Sequence, residues 1–162
     1  MKRGFSLVEL AIVMAIIFIM AAAVTLNSNA FKQTAKDQAE RVAAFIHKQA
    51  RKADRHHLRF AIRFPEINQA VKEFNILWEY NKNDSNPNIV KINNRSYLAS
   101  DEAFKLSCPI TASENDIVYE PVGNGFRNLA DDTLKLVITD SNNETYSVLL
   151  YKNGGMTRAV SE

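Results

Sequence analysis

Met1-Lys2-Arg3-Gly4-Phe5-Ser6-Leu7-Val8-Glu9-Leu10 opens the chain, which runs on as Ala11-Ile12-Val13-Met14-Ala15-Ile16-Ile17-Phe18-Ile19-Met20-Ala21-Ala22-Ala23-Val24-Thr25-Leu26. The twenty-two residues 5–26, nearly all apolar, would rise about 33 Å as a helix, which matches the hydrocarbon thickness of a bilayer. Lys2 and Arg3 on so short a flank predict an N-terminus held in the cytoplasm and a remainder sent across the membrane. Glu9 does not fit a plain anchor, because an ionised carboxylate inside a span costs about 3 kcal/mol at mid-bilayer and less near an interface. A cut after Gly4 would supply a partner: the new amino terminus at Phe5 stands four residues from Glu9 on the same helix face. A carboxylate in the first turn also complements the dipole of its own helix.

These residues resemble the class III signal of type IV prepilins and type II secretion pseudopilins. The basic pair Lys2-Arg3, the glycine at 4, the phenylalanine at 5, Glu9 and the apolar run after it carry the resemblance. It implies that a prepilin peptidase cuts between Gly4 and Phe5 and N-methylates Phe5. It implies that Glu9 serves assembly by pairing with the amino terminus of a neighbouring subunit. The expected product is a structural subunit and not an enzyme. Its expected partners are other pilin or pseudopilin subunits, the prepilin peptidase, an inner-membrane assembly platform and, before assembly, membrane lipid. The expected location is the inner (cytoplasmic) membrane, crossed once with the head on the periplasmic side, and then a filament. An ordinary secretory signal is the competing reading, since Ala21-Ala22-Ala23 resembles a small-residue cleavage site. Glu9 argues against it, and so does a run longer than the roughly 7–15 apolar residues of such signals.

After a polar interruption at Asn27-Ser28-Asn29, apolar residues recur at Ala35, Ala39, Val42, Ile46, Ala50 and Ala53, the period of an amphipathic helix. The expected organisation is a leader at 1–4, a transmembrane or filament-core helix at 5–26, an amphipathic continuation at 27–57 and a β-rich head at 58–162. The helical spine would be about 80 Å long. Many members of the family have a helix-breaking proline just inside this spine, and Thr25-Leu26 has none.

From residue 58 the period becomes two. Leu58, Phe60, Ile62 and Phe64 alternate with Arg59, Ala61 and Arg63, and Pro65 ends the run. Ile67, Ala70, Val71 and Phe74 have the spacing of a short helix after a proline. Strands are expected at 76–80, 89–92, 96–98, 104–108, 117–119, 134–139 and 146–151. Turn residues at Asp140-Ser141-Asn142-Asn143-Glu144 and Asn153-Gly154-Gly155 predict a closing antiparallel meander. The fold class is therefore α+β, a long N-terminal spine packed on a small antiparallel head. A basic helix flowing into a strand, with Lys48-Gln49-Ala50-Arg51-Lys52-Ala53 near its end, is similar to the GspH/FimT class of minor pseudopilins and minor pilins. Major pilins often close a C-terminal loop with a disulfide, which the single Cys108 cannot form.

Charge is divided along the chain. Residues 32–63 hold nine basic and three acidic side chains, and residues 64–162 hold nine basic and fourteen acidic. A basic stem and an acidic head suit contact between subunits. No cofactor is expected. His47, His56 and His57 lack metal-ligand spacing, and Asp131, Asp132 and Asp140 read as turn residues before they read as calcium ligands. Cys108 before Pro109 has no activating base in the sequence. DNA uptake is the runner-up function, because some minor pilins of this class bind DNA through a basic head. Here only Lys152 and Arg158 flank the terminal turn.

Overall fold

The computed structural model describes residues 7–30, 34–81, 87–100, 103–121, 125–127, 129–152 and 158–161, without the side chains of Glu9, residues 21–30 and Arg158. It falls into two compact units, Met1–Gln33 and Thr34–Glu162.

The first unit is one helix, α1 (Leu7–Ala30). It continues through Asn27, Ser28 and Asn29, so this polar interruption does not end it. Among the described residues, no helix is long and apolar enough to cross a membrane. Described side chains in α1 stop at Met20, short of the roughly 20 apolar residues that a span requires. The transmembrane half of the expected spine is therefore carried by the sequence run over 5–26 alone.

The second unit opens with α2 (Ala35–His56). Within the segment 27–57, α2 has an N-terminus of its own, because Thr34 has extended backbone and its Oγ1 accepts the Asp37 N–H at 3.2 Å. His57 ends the helix in the left-handed region at φ 52°. Ala35, Ala39, Val42, Ile46 and Ala53 are fully buried, so the apolar stripe is the face laid on the sheet. Small residues dominate the stripe, which lets the helix axis come close to the strands.

Among the described residues, ten strands form the antiparallel sheet. They are β1 (Phe60–Arg63), β2 (Ala70–Glu79), β3 (Ile89–Ile92), β4 (Arg95–Ala99), β5 (Phe104–Ala112), β6 (Ile117–Glu120), β7 (Gly125–Arg127), β8 (Thr133–Thr139), β9 (Thr145–Tyr151) and β10 (Arg158–Ser161). The order is β10-β9-β8-β5-β2-β1-β6-β7, with β3 and β4 branching off β2. The last three strands are the expected meander. The turn residues 153–155 between β9 and β10 lie outside the described residues. β7 approaches β9, so the sheet curls around α2, which packs on β5, β6, β8, β9 and β10.

The expected short helix through Ile67 and Phe74 is overturned. Residues 70–79 are strand, because β2 finds partners on both edges: β1 on one, and β5 then β4 on the other. Asn68 at φ 58° turns the chain, and its N–H donates to the Ala112 carbonyl at 2.8 Å. β1 is buried on both faces, where a half-buried strand was expected. Phe60 and Ile62 point into the main core, while Ala61 joins Leu77, Val118, Ile92 and Tyr97 in a smaller one under the β3–β4 hairpin. Asn93 and Asn94 close that hairpin with φ of 48° and 62°, both positive as a two-residue type I′ turn requires.

Two aromatic groups fill the main core. Phe45 of α2 stacks on Phe104 at 4.3 Å, and Phe104 meets Phe74 at 5.1 Å. Phe60 lies 5.1 Å from Tyr119, which lies 5.2 Å from Phe126. Each fully buried phenylalanine contributes about 1.5–3 kcal/mol by leaving water. Gln38, fully buried, accepts the Ser107 N–H through Oε1 at 3.1 Å. It stands in for strand backbone, since β8 pairs with β5 only from Ile110 to Ala112.

Asp140 joins helix to sheet. Its Oδ1 accepts the N–H groups of Asn142 at 2.8 Å and Glu144 at 3.1 Å, and its Oδ2 accepts the Ala35 N–H at 3.4 Å. Burial pushes this carboxyl up, and the three backbone donors together outweigh it, holding the group below the ordinary carboxylate range. A lowered value means that the ionised form stabilises the fold above the unfolded carboxylate range, with the contribution lost as pH falls through the folded value. Asp140→Asn should therefore unfold at lower temperature than the parent at neutral pH. The gap should close as the solution is acidified below the carboxylate range, as thermal melts across pH would show.

Candidate functional site

Four consecutive residues of α1, Ile16, Ile17, Phe18 and Ile19, are 48%, 54%, 68% and 69% exposed. At about 100° per residue they sample nearly the whole circumference of a helix. Every described side chain from Leu7 to Met20 is exposed, and Leu7, Val8, Leu10 and Ile12 are more than half exposed. An apolar surface this continuous is stable only in lipid or against other apolar helices.

Glu9 sits in the first turn of α1, which begins at Leu7. The side chain of Glu9, and all of Gly4 and Phe5, lie outside the described residues. Their expected roles rest on the spacing in the sequence.

With the helix and its exposed surface placed, comparison with known proteins gives one result. Residues 1–25 match the prokaryotic N-terminal methylation motif. That motif is the type IV pilin and pseudopilin signature. It supports a pilin-like subunit processed by a prepilin peptidase, with other pilin subunits as partners. The match ends within α1, so it does not extend into the head. No curated protein and no solved structure matches the chain.

The head's other candidate residues have structural surroundings. Cys108 is buried in β5, where burial first and Asp140 second push its thiol up, away from the reactive thiolate. Asp140 is committed to backbone donors, while Asp131 and Asp132 are exposed. Among the described residues no group of three His, Cys, Asp or Glu side chains is placed to hold a metal ion. His56 and His57 are exposed at the end of α2.

The arginines divide into two sets that the sequence count did not distinguish. In the head Arg59 pairs with Glu79 and Glu120, Arg95 with Glu79, Arg127 with Glu120, and Arg63 with Asp116 through two contacts at 2.6 and 2.7 Å. On α2, Arg41, Arg51 and Arg55 are exposed and make no ion pair among the described residues. Lys52 is drawn over the Trp78 ring, 4.6 Å from its centre. Asp54 accepts from the Tyr119 hydroxyl at 3.2 Å, and burial, with Asp54 next, pushes that phenol up to about 12. Sequence alone could have hinted at these pairings only through the alternation of Arg59 and Arg63 with buried residues on β1.

A chain beginning at Thr34 should keep the α2 and sheet fold and remain monomeric without detergent, whereas the full chain should require detergent or lipid. Sedimentation velocity on both checks this. Ordered filaments from the shorter chain would contradict it.

Proposed function

We propose that this chain is a type IV pilin-like structural subunit, cut between Gly4 and Phe5, methylated at Phe5 and assembled into a filament through α1. The observation that carries the reading is the methylation motif set on a helix whose described apolar side chains are exposed on every side. Before assembly the run over 5–26 spans the cytoplasmic membrane once, with Lys2 and Arg3 inside and the head outside the cytoplasm. On this reading residues 1–4 are the leader, α2 is the stem on which the head is built, and the membrane platform receives the processed subunit. The single cysteine and the small β-rich head favour a minor subunit of a secretion pseudopilus or pilus. The DNA-uptake reading has no comparable support, because the described arginines of the sheet are paired with carboxylates of the same head.

Mass spectrometry of the mature protein tests the processing step. Phe5 should be the first residue and should carry a methyl group. A first residue at Val24 would instead establish ordinary secretion and overturn the reading.

Glu9→Val tests assembly. Insertion and cleavage should persist, since loss of a charge eases entry into lipid. Incorporation into filaments should fall more than tenfold, whereas complementing its own helix dipole is worth only about 0.3–1 kcal/mol, less than sixfold. Processed variant protein in membrane and filament fractions, without wild-type subunits, measures the difference. Normal incorporation would remove Glu9 from the mechanism.

A further inference from the structure

Arg41, Lys48 and Arg55 recur at steps of seven along α2, and Arg51 lies one turn before Arg55, so the four share the helix face opposite its buried stripe. All four are exposed, and none makes an ion pair among the described residues. This contrasts with Arg59, Arg63, Arg95 and Arg127, each matched to a carboxylate within the head. Of the nearby acids of α2, Asp37 lies one turn before Arg41 on the same face and Glu40 directly precedes Arg41, but neither forms an ion pair with the stripe among the described residues, and Asp54 accepts from the Tyr119 hydroxyl.

The head has a counterpart of opposite sign. Glu114, after β5, accepts the Ala130 N–H through Oε1 at 2.9 Å. That bond draws the segment before β6 to the segment before β8, and so brings Glu114 to Asp131 and Asp132. The Lys152 N–H fixes the same place by donating to the Asp132 carbonyl at 2.9 Å. Asp131 and Asp132 are exposed, and the carboxylates of Glu114, Asp131 and Asp132 have no ion pair among the described residues. Asp116 nearby is neutralised by Arg63.

We propose that the cationic stripe of α2 docks on the Glu114, Asp131 and Asp132 corner of a second copy of this chain. The contact is heterologous, stripe to corner, so each copy keeps one free stripe and one free corner, and addition propagates in one direction. It rests on the filament reading and gives it a polarity outside the apolar core. Complementary charge of this kind fixes register and partner choice more than it adds affinity.

The experiment is a membrane two-hybrid assay of the full chain against itself, with two charge-reversed partners, Arg51→Glu with Arg55→Glu and Asp131→Lys with Asp132→Lys. Each variant paired with itself should lose reporter signal about tenfold, as like charges meet at the contact. The two variants paired with each other should recover it, since the reversed stripe then meets the reversed corner. Arg51→Gln with Arg55→Gln should give a smaller loss, and thermal melts of all variants separate loss of contact from loss of fold. Unchanged signal in either variant overturns the proposal, as does failure of the mixed pair to recover. Loss confined to the stripe variant also overturns it, and retention of the parent on DNA or anionic vesicles would then identify a polyanion as the occupant. Processing at Gly4 is read on the same strains. Charge-dependent pairing of an unprocessed chain would uphold the contact while removing the filament reading.

Discussion

The head depends on where α2 is allowed to begin. A helix start leaves N–H groups that nothing within the helix can accept, and here two oxygens from outside its hydrogen-bonding ladder meet them: Thr34 Oγ1 for Asp37 and Asp140 Oδ2 for Ala35. The second comes from the turn between β8 and β9, whose own N–H groups are held by the same carboxylate. One side chain therefore sets helix start and hairpin turn together, across 105 residues of sequence. The register of Ala35, Ala39, Val42 and Ile46 over the strands follows from it.

Layers and strand positions were largely legible in the residues. The small-residue stripe of α2 marked the helix through its period of burial, and the alternation at 58–64 marked a strand although β1 is buried on both faces. The strand over Ile89–Ile92 came out with the expected bounds. Residues 67–74 misled, since Ile67, Ala70, Val71 and Phe74 fit a helical spacing while two neighbouring strands with open edges claimed the backbone. Asn93-Asn94 was an available hairpin signal between Ile92 and Arg95 that the periodic reading passed over. The new start at Ala35 was legible only in part: Thr34 is a good capping residue, but the oxygen from Asp140 is a tertiary contact that no local pattern announces.

The functional signal is concentrated at the opposite end of the chain from this architecture. Gly4, Phe5 and Glu9 are meaningful by spacing, and the methylation motif ends at residue 25, before the head begins. The head adds a different kind of information. Its described sheet arginines are paired internally, whereas those on the outer face of α2 have no ion pair among the described residues. The motif thus speaks to how the chain is processed, and the uneven pairing of charge speaks to what surrounds it afterwards.

The topology also constrains the order in which the molecule is made. α2 leaves the ribosome before any strand, yet much of its stripe is covered by β8, β9 and β10, the last strands of the chain. β1, next to emerge, lies between β2 and β6, so its second edge waits for residues 117–119. A nascent chain cannot bury Val42 and Ile46 piecemeal from its N-terminus, because the surface that shelters them is synthesised last. Folding of the head is consequently a late, collective event, and a stop codon before β9 would release a chain whose helix has no surface to close against.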